Sequence, residues 1–176
     1  FFRNPLSFEI LRKEIFPTII EQKQEESKSN IRVWSAGCAK GEEAYSVAIL
    51  LNEIQDRKKI FNSIYFIATD LDPNALKAAK QAVYTESSIE KIKHGLVKKY
   101  FHEKGNAFRL VPIIRDMVQF SSYNLLNIKQ KLPPECIYGD FDIVFCRNVL
   151  IYMNEKEQHV IFEKLYRSLK PNGYLV

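Results

Sequence analysis

Residues 31–48 admit few folds: Ile31-Arg32-Val33-Trp34-Ser35-Ala36-Gly37-Cys38-Ala39-Lys40-Gly41-Glu42-Glu43-Ala44-Tyr45-Ser46-Val47-Ala48. Ile31, Val33 and Trp34 favour extended backbone, so residues 31–36 predict a buried strand. Gly37 and Gly41 bracket a turn where the chain must bend sharply or admit a close neighbour. Ala44, Val47, Ala48, Leu51 and Ile54 then recur on one helical face. A strand entering a glycine turn at a helix start is how α/β folds build a cofactor site.

The turn also selects the cofactor. A dinucleotide fingerprint needs a middle glycine that is absent here, and no phosphate loop of the form G-x-x-x-x-G-K-[ST] can be written. Glu42 and Glu43 open the helix, where they would repel a pyrophosphate but suit an ammonium or sulfonium. S-adenosylmethionine carries both cations and no phosphate, so the loop favours a methyl donor over NAD or ATP. First-turn glutamates also stabilise a helix dipole, an ordinary alternative.

The rest of the chain alternates strand and helix. Phe8, Leu11, Ile15 and Ile19 predict an amphipathic helix interrupted near Pro17, followed by a polar stretch from Gln22 to Asn30 with a loop at its end. The organising helix fades over residues 55–59. Residues 64–69 read as a second strand ending at Asp70, with Asp72-Pro73 as helix cap and first turn. Asp70 has no capping duty and stands where nucleotide-binding folds place a ribose-accepting carboxylate. Helices are expected over 75–82 and across Ile89, Ile92 and Leu96. Tyr100-Phe101, residues 108–111 and Ile113-Ile114 read as short antiparallel pieces around a turn at 103–106. Residues 118–121 and 141–146 are the third and fourth core strands, with Lys131 to Glu135 as a loop between them. Residues 155–169 form a helix with Ile161, Phe162, Leu165 and Leu169 inward, stopped at Pro171-Asn172-Gly173.

The expected fold is therefore doubly wound α/β with a mostly parallel sheet and a small antiparallel β-subdomain. Gly37, Gly41, Asp70, Asn124, Arg147 and Asn148 all fall at carboxyl ends of strands, where such folds bind ligands. The boundaries read as a helical lead-in (1–30), a first core part (31–99), the β-subdomain (100–117) and a second core part (118–176). Both ends read as cut, since the chain opens on Phe1 and stops inside an apolar run.

Composition narrows the function classes. The chain has 176 residues, 46% of them hydrophobic and 27% charged, with no apolar run long enough to span a bilayer. Cys38, Cys136 and Cys146 make an odd count without paired spacing, which favours a reducing compartment. His94, His102 and His159 are scattered, so no metal site is expected. The net charge of +5 invites an acidic partner, but the basic residues form no long tract. Solvated helix faces are favoured over a nucleic-acid surface.

Several runs resemble one family in order: Phe1-Phe2-Arg3, residues 34–46, Ala68-Thr69-Asp70-Leu71-Asp72, Asn124-Leu125, and Phe145-Cys146-Arg147-Asn148-Val149-Leu150-Ile151-Tyr152. The chain is similar to the CheR-type chemotaxis receptor glutamate O-methyltransferases, over nearly its whole length. The resemblance implies a Rossmann-like class I methyltransferase fold, S-adenosylmethionine as donor and S-adenosylhomocysteine as product. It implies methyl ester formation on glutamates in the cytoplasmic helical region of methyl-accepting chemotaxis receptors, and a cytoplasmic location. Carried over by position, it implies donor binding by Arg3, Glu42, Asp70, Asn124, Leu125, Arg147 and Asn148, with Tyr152 and Arg147 at the reacting end. The segment 100–117 resembles the family's β-subdomain, which in some members grips a receptor's C-terminal tail peptide. The family's N-terminal helical domain and final strands have no counterpart in these residues, and Ala44 and Ala39-Lys40 depart from its usual pattern.

A glutamate carboxylate, with a reference pKa near ~4.3, is already ionised at neutral pH and needs no general base. The site must supply alignment and remove water. Without the resemblance Tyr152 reads as core packing, and Cys38 and Cys146 as small buried side chains rather than nucleophiles. Two other functions fit the same residues: methylation of another acceptor such as RNA, and a donor-sensing or docking module without turnover.

Overall fold

Three strands whose side chains are almost wholly buried form the centre of the molecule. In this computed structural model, which describes residues 1–25, 30–58, 63–134, 136 and 139–176, β1 (Asn30–Ala36) lies between β2 (Ser63–Asp70) and β7 (Phe141–Phe145). With β6 (Val118–Ser122) and β8 (Leu169–Leu175) they make a five-stranded sheet in the order β6-β2-β1-β7-β8. Every pairing in it is parallel, and strands buried on both faces read as near-continuous apolar runs, as 64–69 and, apart from Asp142, 141–145 do.

The chain goes from β1 to β2 on one side and returns from β6 to β7 on the other. The strand order therefore reverses at β1/β7, where an open α/β sheet leaves a crevice beyond its carboxyl ends. α3 (Glu42–Lys58) leaves this crevice, and Ala44, Val47, Ala48 and Leu51 are fully buried on it. The helix runs through residues 55–58, beyond the expected fading; Lys59 lies outside the described residues. Asp72 caps α4 (Pro73–Gln81) by accepting from the Asn74 amide.

At the opposite end of the sheet Asp142, fully buried, accepts from the Arg32 amide at 2.8 Å and pairs with Lys23 and Lys170. This cluster ties α2 (Phe16–Glu25) and β8 to the sheet. One expectation about that helical segment needs correction. Pro17 does not interrupt the helix: α1 (Pro5–Ile10) passes through a π-helical stretch (Leu11–Ile15) into α2. Proline removes one backbone donor and crowds the carbonyl four residues earlier, and a wider turn relieves both. The helix extends into the polar stretch as far as Glu25, and of the loop expected at its end, residues 27–29 lie outside the described residues while Asn30 already opens β1.

The antiparallel sheet has the order β3-β5-β4, formed by β3 (Val83–Thr85), β4 (Phe101–Lys104) and β5 (Ala107–Leu110). The hairpin β4–β5 matches expectation, but β3 is contributed from outside residues 100–117. Ile113 and Ile114 belong to the short helix α7 (Pro112–Arg115), because Pro112 fixes a helical first turn. The segment around Ile89, Ile92 and Leu96 is two helices, α5 (Glu86–Ile89) and α6 (His94–Tyr100), with Ile92 buried in the turn between them.

α8 (Glu155–Ser168) opens on a reciprocal capping box between Asn154 and Glu157. It buries Ile161, Lys164, Leu165 and Ser168. Phe162 faces outward at 52% exposure, because the buried stripe passes through 161, 164, 165 and 168. The helix ends before Pro171, and residues 169–175 enter β8 through an irregular register against β7. No helix among the described residues is long and apolar enough to cross a membrane.

Candidate functional site

The glycine turn is fixed by the end of β2. Gly37 and Cys38 both donate to the Thr69 carbonyl, at 2.8 and 2.9 Å, and Gly41 donates back to the Cys38 carbonyl. Asp70 is half-buried and accepts from the Ala39 amide at 2.7 Å through one oxygen and from the Asp72 amide at 2.9 Å through the other. Asp72 rather than Asp70 caps α4, as expected, but Asp70 has a structural duty that the sequence did not show. It holds the turn in place, including Ala39 in a left-handed conformation (φ +48°). Each carboxylate oxygen keeps further acceptor capacity beyond these bonds.

The two glycines serve different contacts. Gly37 has φ +71°, and a Cβ there would lie 2.4 Å from Val149 Cγ2, so the turn and the segment after β7 pass in direct contact. Gly41 has φ +86°, and a Cβ there would lie 3.1 Å from Ala79 Cβ and from the Phe120 ring, so its absence lets α3 approach α4 and β6. Gly37 shapes the crevice, and Gly41 shapes the packing behind it.

In the β1/β7 crevice an open cleft of ≈ 560 Å³ gathers Arg3, Gly37, Glu42, Glu43, Arg147, Asn148 and Tyr152. Arg147 donates to Glu43 at 3.2 Å across the crevice and lies over the Phe8 ring. Burial pushes the Glu43 carboxyl up, and the Arg147 guanidinium partly reverses this. Asn148 takes a left-handed conformation (φ +59°) at the sharp exit from β7. Tyr152, in a 3-10 turn (Leu150–Tyr152), is 81% exposed. It is not core packing.

Asp70, Asn124, Leu125 and Gly41 lie outside the lining of this cleft. Asp70 ends β2. Asn124 follows β6, exposed, with its side-chain oxygen accepting from the Leu126 amide, while Leu125 is buried. The candidates thus form a row along the carboxyl edge of the sheet: Asn124 and Leu125 after β6, Asp70 on β2, Gly37 after β1, and Arg147 and Asn148 after β7. At ~4.8 Å per strand the row spans about 14 Å.

Sequence reasoning used Glu43 only as part of the acidic turn and assigned no role to Ser87, Ser88 or Lys91; all four line the cleft. Glu43 meets Arg147 there, a pairing that its place beside Glu42 does not announce. The other three come from the connection between β3 and α6. Cys38 is buried with its thiol pushed up by desolvation and by the Asp70 carboxylate, and Cys146 is pushed up to about 12 by burial and Glu43. Neither is a nucleophile at neutral pH. A larger groove of ≈ 710 Å³ lies between α1, α3 and α6, lined by Phe8, Ile20, Leu50, Ile54 and Leu96 among others; it reaches none of the strand ends.

Across residues 1–176 the sequence matches the family described as CheR methyltransferase, SAM binding domain. The chain belongs to this family. It is 33% identical over 177 residues to the chemotaxis protein methyltransferase of Borreliella burgdorferi, covering 100% of this chain and 61% of that protein. It is also 33% identical to chemotaxis protein methyltransferase 1 of Pseudomonas aeruginosa, over 99% of this chain and 62% of the relative. The chain thus spans about three-fifths of the length of these relatives. Among solved structures it is similar to the glycopeptide N-methyltransferase MtfA complexed with S-adenosylmethionine, with TM-score 0.48 and 10% identity over 90% of this chain and 52% of the other. The S-adenosylmethionine-binding character expected from the acidic glycine turn is that of the family, and the doubly wound fold with its small antiparallel sheet is as expected.

Proposed function

We propose that this chain is the catalytic part of a protein-glutamate O-methyltransferase of bacterial chemotaxis, acting in the cytoplasm on the helical region of methyl-accepting receptors. The observation that carries this reading is the row of residues along the sheet edge, with two glutamates at the start of α3. S-adenosylmethionine is itself linear: base, ribose, sulfonium, amino acid. With Asp70 accepting from the ribose hydroxyls, the cationic amino-acid end falls beside Glu42, and Arg3 can pair with its carboxylate. The base then falls on the other side of Asp70, at Asn124 and Leu125. Gly37 lets the donor approach the backbone, and Arg147 and Asn148 close the β7 side.

The acceptor enters from solvent. A receptor glutamate is ionised at neutral pH, so the chemical step consists of aligning carboxylate oxygen, methyl carbon and sulfur in the crevice. The exposed hydroxyl of Tyr152 at the cleft rim can orient that carboxylate, and Arg147 supplies positive charge beside it. The antiparallel sheet offers β4 as an exposed edge, which suits pairing with an extended receptor tail peptide.

The test is transfer of labelled methyl from S-adenosylmethionine to a receptor cytoplasmic fragment. A glutamyl ester releases volatile methanol in mild base, whereas methylated RNA bases or ribose do not. Base-labile label on the receptor is expected. Base-stable label on RNA, with the receptor unlabelled, would refute the proposal.

A further inference from the structure

Lys164 lies on the buried stripe of α8 with Ile161, Leu165 and Ser168, where an apolar side chain would serve packing better. Its residue is only 9% exposed. Its ammonium donates to the Leu125 carbonyl at 2.6 Å and to the Asn127 carbonyl at 2.8 Å. It also lies 5.1 Å from the centre of the Tyr123 ring. Burial lowers its pKa, the usual cost of taking an ammonium out of water.

The segment that it holds has no ladder of its own. The Tyr123 amide still donates to the Asp70 carbonyl of β2, and beyond it the chain holds itself by local bonds: Leu126 to the Asn124 side chain, Asn127 to the Asn124 carbonyl, Lys129 to the Asn127 side chain, and Gln130 to the Asn127 carbonyl. Tyr123 reaches the Gln130 carbonyl through its hydroxyl. The two carbonyls that turn inward, at 125 and 127, are the ones that Lys164 takes. One side chain from a distant helix thus ties together the peptide planes on either side of Leu126-Asn127, the second of which the Gln130 amide also holds.

We propose that Lys164 is a positioning residue of the donor site, holding the loop after β6 in the shape that receives the base of S-adenosylmethionine. This rests on the placement of the base at Asn124 and Leu125 proposed above. Lys164 itself touches no donor atom. It acts through the peptide planes, so removing it loosens the base-binding loop while leaving the apolar stripe of α8 intact.

The test uses Lys164→Met, which keeps the length of the side chain and removes its donors, and Lys164→Gln, which keeps an amide donor. S-adenosylhomocysteine affinity is measured by calorimetry well below the melting temperature, with thermal unfolding recorded in parallel. The expected result is weaker binding at a temperature where the chain is folded. Lys164→Met weakens binding about ten-fold or more, and its melting temperature falls as well, because the Leu125 and Asn127 carbonyls lose the ammonium. Lys164→Gln falls between it and the wild type in both. A purely structural lysine lowers the melting temperature and leaves affinity within about twofold. That second pattern overturns the proposal. If Lys164→Met does not fold, Lys164→Gln decides by the same criterion. Failure of the wild-type chain to bind S-adenosylhomocysteine would overturn the donor reading together with this proposal; normal wild-type binding, unchanged in the variants, overturns the role of Lys164 alone.

Discussion

Gly37→Ala tests whether the contact between the glycine turn and the segment after β7 builds the crevice. Two costs arise from the geometry. At φ +71° an alanine in the left-handed region costs roughly 1–2 kcal/mol. Its Cβ would also lie 2.4 Å from Val149 Cγ2, inside contact distance, and overpacking of this kind costs about 1–3 kcal/mol. Alanine recovers about 0.4–1 kcal/mol by stiffening the unfolded chain. The net expectation is about 2–4 kcal/mol of destabilisation. The steric share can be isolated, because Val149→Ala removes both methyls and leaves its own Cβ at an ordinary 3.5 Å. Urea unfolding of the two single variants and the double variant gives a cycle in which the double variant is more stable than additivity predicts by about 1–3 kcal/mol. Affinity for S-adenosylhomocysteine should follow the same pattern, lost in Gly37→Ala and partly recovered in the double variant. Additivity within about 0.5 kcal/mol would refute the contact as the reason for glycine here.

Asp70→Ala should weaken S-adenosylhomocysteine binding by roughly ten- to a hundred-fold, the worth of a charge-assisted bond to ribose. It should also lower stability measurably, since the Ala39 and Asp72 amides lose their acceptor; unchanged affinity in a folded variant would leave Asp70 with its structural bonds alone. Glu43 titrates higher in the folded chain than its unfolded ~4.3, so the folded state binds the extra proton, and stability from this group falls as pH rises through the raised value. The stability of wild type relative to Glu43→Gln should therefore decline as pH rises above the unfolded carboxylate value, and a difference that grows with pH would contradict the assignment. Arg147→Met should push the Glu43 carboxyl higher still, as carboxyl NMR would report. Tyr152→Phe should lower methyl transfer while leaving donor affinity near wild type. The single-turnover rate should be nearly flat from about pH 6 to 8.5, because the nucleophile needs no proton removed; a steep loss below about pH 7 would mean a different mechanism.

Whatever depends on neighbours along the chain was legible before folding is considered. The strand, glycine turn and helix of residues 31–48 follow from side-chain period and two glycines, and the cap at Asp72 from Asp-Pro. The exclusion of phosphate follows from two adjacent charges at Glu42 and Glu43. These are local matters, in which burial and backbone preference repeat at fixed intervals. Periodicity was weaker where one residue altered the backbone: Pro112 turned the apolar pair Ile113-Ile114 into a helical turn, and the π stretch before Pro17 let the helix continue.

Tertiary structure decided which of the candidate residues meet. Glu43 and Arg147 are 104 residues apart and touch because β1 and β7 are neighbours, a strand order that no local pattern encodes. Val149 sets the need for glycine at position 37 for the same reason. Tyr152 has the composition of a core residue and is exposed, while Lys164 has that of a surface residue and is buried. Side-chain chemistry gives each residue a preference for water or interior, but the partners on offer decide where it ends up. The inward-turned carbonyls at 125 and 127 exist only once the loop after β6 has packed on α8, so only the folded chain provides a place for that ammonium.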